Sequence, residues 1–148
     1  MALFIFIAEA GRVVGKKEHW QMDRKEITIQ ELCEKLYKKL KARTSLNRFY
    51  VGITNDIDRR SIEHEKEGYT STTPIATGES ETIQKAEEYL LNYFAKSDLA
   101  EYSGNISQDS LGSKNSSIIY VSLFIQPKSE NELFEDDLLW DEIYCIKQ

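Results

Sequence analysis

The sequence predicts an α+β fold, a small mostly antiparallel sheet flanked by about three helices, and three observations carry that prediction. Strand-like apolar runs gather near both ends of the chain and around Tyr50. Helical patterns with their own capping residues and apolar stripes fall between those runs. The chain has 148 residues, 41% of them hydrophobic, which is enough for one core and too few for two ordinary domains. Residues 1–148 are therefore expected to form a single domain.

Leu3 to Ile7 has the length of a strand, and Glu9-Ala10-Gly11-Arg12 before Val13-Val14-Gly15 predicts a turn into a second one, an N-terminal hairpin. Thr28-Ile29-Gln30-Glu31 has capping-box spacing, so a helix should follow. Leu32, Leu36 and Leu40 give that helix one apolar stripe, and it should end near Arg43. Arg48 to Thr54 alternates as a strand does, with Phe49, Val51 and Ile53 on the core side and Tyr50, Gly52 and Thr54 on a side open to chemistry. Asn55 or Asp56 can cap a second helix that runs to about Glu67, where Gly68 supplies the left-handed stop. Tyr69 to Gly78, rich in Thr and interrupted by Pro74, reads as a loop. A third helix is expected from about Glu81 to Ala95, with Ser80 as its cap, then a long Ser/Gly/Asn loop over 103–117 and a strand over Ile118–Ile125 stopped by Pro127. In the last segment Leu133, Phe134, Leu138, Leu139 and Trp140 predict a short docking helix, and Ile143 to Ile146 a final strand.

Composition narrows the function classes. Cys33 and Cys145 stand far apart and match no metal-ligand spacing, which argues against a disulfide framework or a zinc site. No apolar run approaches the roughly 20 residues that cross a bilayer, so the expectation is a cytoplasmic protein with no membrane association. The formal net charge is −6, yet its distribution is uneven. Residues 1–129 hold 18 basic and 18 acidic side chains, whereas 130–148 hold one basic and seven acidic ones. The body is neutral and presents no broad basic field for nucleic acid, while the acidic, partly apolar segment 130–148 suits a protein partner.

Helical phase separates neighbours of identical chemistry. With Ile83 set at zero, Glu87 falls at about 40° and Glu88 at about 140° on the 100° rule, which puts Glu87 inside the stripe of Ile83, Ala86, Leu90, Leu91 and Phe94. A carboxylate on a buried stripe needs a cation, a metal or a hydrogen-bond donor. On the second helix Ile57, Arg60, Ser61 and His64 share one arc and Arg59 points away. Arg60 and His64, one turn apart, can converge beside the polar face of the Tyr50 strand.

The segment FYVGITNDIDRRSIEHEKEG resembles the second half of the GIY-YIG nuclease motif, in which a Tyr-Ile/Val-Gly strand leads into a helix with an essential Arg, often a His one turn later, and a metal-binding Glu on a later helix. Tyr50, Gly52, Arg60, His64 and Glu87 fit that order, and AEEYLLNYF resembles the glutamate helix of the family. The first half of the signature, a Gly-Ile-Tyr strand about a dozen residues before the second tyrosine, is absent. The resemblance implies a GIY-YIG-like core over about 48–125, with the hairpin and helix of 1–43 before it and the acidic segment after it.

It further implies a metal-dependent nuclease that hydrolyses phosphodiester bonds in DNA. Glu87 would hold Mg2+ or Mn2+, Arg60 would grip the scissile phosphate, Tyr50 would orient or deprotonate the nucleophile, and His64 would carry a proton or make a second phosphate contact. Gly52, Asn55 and Asn105 are the expected substrate contacts. The alternative is a catalytically inactive module of the same fold that binds a protein or nucleic-acid partner.

Overall fold

The computed structural model describes residues 24–43, 45–104, 115–126, 140 and 142–147. The expected N-terminal hairpin, Asn105 with most of its loop, and Leu133, Phe134, Leu138 and Leu139 lie outside the described residues.

The described chain is α+β. Its elements are β1 (Glu26–Ile27), α1 (Ile29–Lys41), β2 (Leu46–Thr54), α2 (Ile57–Lys66), β3 (Ser71–Thr77), α3 (Ser80–Ala95), a 3-10 turn (Ala100–Tyr102), β4 (Ile118–Ile125) and β5 (Tyr144–Ile146). The five strands form one mixed sheet in the order β1-β5-β3-β4-β2. Its long ladders, β2 with β4 and β3 with β4, are antiparallel, while the short β5 runs parallel to both β1 and β3.

Each helix starts and stops for a local reason. Thr28 and Glu31 form the capping box, each side chain accepting from the other's backbone N–H, at 3.0 and 2.9 Å. At α2 the Asp56 carboxylate accepts from the Arg59 N–H at 3.1 Å, and Gly68 at φ 100° supplies the left-handed turn beyond the last residues. At α3 the cap position belongs to Glu79 rather than Ser80: its backbone is extended and its carbonyl accepts from the Ile83 N–H at 2.9 Å, so Ser80 is already helical.

Residues 71–77 correct the expectation of a loop over Tyr69–Gly78. Thr and Ile are β-branched and suit a pleated strand, and Thr72 meets Ser122 across the ladder with hydroxyls 2.7 Å apart. Pro74 is tolerated because the ladder is irregular between Pro74 and Ala76 and β5 pairs only with Ala76 and Thr77. The Ile75 carbonyl within that irregularity accepts from the Trp140 indole N–H at 3.2 Å.

The sheet has two different faces because β2 alternates as its sequence does. Phe49, Val51 and Ile53 are buried with the stripes of α1 and α3, and Phe49 meets Phe94 edge to face at 5.2 Å. Tyr50, Gly52 and Tyr120 share the other face, which α2 covers through Arg60 and His64. Among the described residues no helix is long and apolar enough to cross a membrane.

Candidate functional site

The phase of α2 is set where β2 ends. Thr54 Oγ1 accepts from the Asp56 N–H at 3.0 Å, and Asp56 then caps the helix. Starting from that cap, Arg60 and His64 turn inward and Arg59 outward: the Arg60 side chain is 25% exposed against 54% for Arg59, and that of His64 only 2%.

Arg60 and His64 meet on Tyr120, a fully buried β4 residue that stands opposite Gly52 in the ladder. Arg60 Nε donates to the Tyr120 hydroxyl at 3.0 Å, and His64 Nε2 lies 2.8 Å from the same oxygen and 3.2 Å from Arg60 Nη2. On its far side His64 Nδ1 lies 2.7 Å from the Glu67 carboxylate. A carboxylate only accepts and a guanidinium only donates, so the neutral imidazole carries its proton on Nδ1 and accepts at Nε2. Tyr120 therefore donates to His64 while accepting from Arg60.

Tyr50 closes the cluster from the half-exposed side. Its ring lies 4.6 Å from that of His64 and stacks near parallel to that of Tyr120 at 6.3 Å. Gly52 leaves room for Tyr120: a Cβ at that position would sit 2.6 Å from the phenol Cζ.

The electrostatics follow from burial. Desolvation pushes the His64 imidazole below its ordinary value, with Glu67 opposing. Burial likewise raises both phenols, Tyr50 and Tyr120; Arg60 opposes the rise and the charge of Glu87 adds to it. Glu87 itself is 1% exposed, on the α3 stripe that packs against the core face of the sheet, whereas Glu88 one residue on is exposed.

Glu87 is a buried carboxylate, the kind of hard oxygen donor that Mg2+ or Mn2+ favours. Among the described residues no group of three or more His, Cys, Asp and Glu side chains converges, so such an ion would rest on Glu87 and on oxygens from outside the chain.

Of the residues expected from the sequence, Tyr50, Gly52, Arg60 and His64 come together, while Glu87 belongs to the α3 stripe that packs on the other, core face of the sheet. Asn55 is exposed in the bend between β2 and α2, with Asp56 as the cap. Sequence reasoning missed Tyr120, Glu63 and Glu67. The signal for Tyr120 was its phase: in a strand whose Ile119, Val121 and Leu123 face the core, Tyr120 and Ser122 fall on the opposite side.

No family model matches the chain, and neither a curated protein nor a solved structure does.

Proposed function

We propose that the protein is a divalent-metal-dependent endonuclease that hydrolyses phosphodiester bonds in DNA, a divergent relative of the GIY-YIG nucleases. The observation that carries the reading is the convergence of Arg60 and His64 on Tyr120, beside Tyr50. Tyr120 also supplies, from a later strand, a second phenol that stacks near Tyr50.

Cleavage of a phosphodiester needs a gripped phosphate, an oriented water and relief of the charge that builds on the phosphate. Arg60 offers five N–H donors; Tyr120, Glu63 and His64 engage three of them and Tyr50 shares a further hydrogen bond with the guanidinium, whose planar fork suits phosphate oxygens. Tyr50 is the phenol that reaches solvent. With its pKa raised it stays protonated at neutral pH and acts as a hydrogen-bonding group that orients the attacking water. His64 is too buried to touch substrate; it holds Arg60 and Tyr120 from behind. Mg2+ or Mn2+ on Glu87 would supply the remaining positive charge at the phosphate and the leaving oxygen.

A second reading, an inactive module of this fold that binds a protein or nucleic-acid partner, draws on Glu63, whose carboxylate lies 2.5 Å from Arg60 Nη1 and 3.2 Å from Arg59 Nη1. There Arg60 would serve structure, and the acidic segment 130–148 would be the partner-binding element.

Plasmid cleavage in Mg2+ or Mn2+ separates the two. The wild type should nick DNA, Arg60→Ala should lose at least about a hundredfold in rate, as removal of a charge-stabilising donor does, and Arg59→Ala should match the wild type. No cleavage with either ion would favour the binding module, and loss in Arg59→Ala with a silent Arg60→Ala would overturn the site.

A further inference from the structure

We propose that Glu67 is a positioning residue: its carboxylate holds the His64 ring so that a bare Nε2 faces Arg60 and the Tyr120 hydroxyl. Its effect on the ring stands on geometry alone, while its effect on rate rests on the nuclease reading.

The end of α2 fixes where Glu67 can act. The helix stops at Lys66, and the chain folds back on itself: the N–H groups of Glu67 and Tyr69 both donate to the His64 carbonyl at 3.0 Å, with Gly68 in the left-handed conformation between them. The backbone of Glu67 is thus tied to the residue whose side chain it holds. Its carboxylate reaches His64 Nδ1 at 2.7 Å although the Glu67 side chain is 61% exposed.

The bond gives the Nδ1–H of a ring that is only 2% exposed the acceptor a buried donor needs. The consequence lies on the buried side of the bond. Among the described residues the charged and titratable groups around the ring are Arg60, Glu63 and Glu67 of its own segment, Tyr50 of β2, Tyr69 of the following turn and Tyr120 of β4. Among the described residues only Glu67 engages Nδ1. Without it, nothing on that side opposes a flip of the ring that would turn a carbon toward Arg60 and remove the acceptor shared by Arg60 Nη2 and Tyr120. Glu67 thereby acts on the phosphate-gripping arginine through the imidazole.

Nitrogen-15 NMR of the imidazole, run without substrate, tests the claim. The chain has two histidines, and His64→Gln identifies which signals belong to His64. In the wild type His64 should be protonated on Nδ1, with a proton slow to exchange with water. In Glu67→Ala that proton should exchange rapidly, and Glu67→Gln, whose amide oxygen still accepts, should restore part of the protection. A wild-type ring protonated on Nε2, or a protected Nδ1 proton that persists in Glu67→Ala, overturns the proposal. In cleavage assays Glu67→Ala should lower kcat about tenfold at unchanged KM, with partial recovery in Glu67→Gln. Unchanged kcat in Glu67→Ala would overturn the positioning role. A wild type that cleaves nothing would overturn the nuclease reading and leave the spectra to decide the role of Glu67.

Discussion

His64 shows how one residue couples the site to the fold. Its imidazole is buried and neutral, with its pKa held below the ordinary value of about 6.5 chiefly by desolvation. The unfolded chain therefore binds more protons than the folded one just below that pH. Stability tied to this group is fully present above about pH 6.5 and is lost as pH falls through the lower folded-state value. Urea unfolding at pH 7.5 and 5.5 should show a loss of stability at the lower pH that is smaller in His64→Gln. An identical loss in both proteins would mean that His64 is not the group responsible. Helical phase made the direction of this side chain, and of Arg60 and Glu87, legible in the sequence, because an apolar stripe fixes the inward side. Phase gave no sign of Glu63 and Glu67, since the first is half-buried and the second exposed, and both act through the reach of their side chains rather than through burial.

At the scale of the element, β2 and β4 make the site together. Gly52 is where the two strands need a residue without Cβ, because the Tyr120 ring occupies that space. Gly52→Ala should destabilise the protein by about 1–3 kcal/mol, the usual cost of overpacking. The loss should shrink in a Tyr120→Leu background, which removes the phenol that the new methyl would strike. Chemical denaturation of the four proteins of the cycle measures this, and additive losses would contradict the contact. The β2 strand itself was legible from its alternation, and α1 from its capping box. β3 was not: Pro74 and three threonines read as a loop, and only the irregular ladder with β4 shows why a strand accepts them. Tyr120 was hidden for a related reason, because which strand lies beside Gly52 is a matter of topology, and sequence distance does not reveal it.

At the scale of the whole molecule, the sheet order puts β2 at one edge and β1 at the other, with β5 returning the end of the chain to the body. The Gly104 N–H donates to the Phe49 carbonyl at 2.7 Å, which occupies part of the open edge of β2 beside the site. At the opposite side Trp140 is buried, donates to the Ile75 carbonyl and meets Tyr144 edge to face, with Lys35 Nζ 5.5 Å from each ring centre. The expectation that Trp140 packs against the body is met, and the apolar content of that segment made it readable. Glu87 is a carboxylate almost without exposure on the buried stripe of α3.

Glu87→Gln keeps the shape of the side chain and discards the charge that would hold a hard cation. Thermal unfolding of the wild type and Glu87→Gln, each with and without Mg2+ or Mn2+, run beside plasmid cleavage, tests the central claim most directly. A metal ligand predicts that divalent ions raise the Tm of the wild type but not of the variant, that the variant folds, and that its cleavage is abolished. If Glu87 is instead one half of a buried charge pair, Gln should strand the partner and cost about 3 kcal/mol of stability with no response to metal in either protein, and that result would contradict the nuclease.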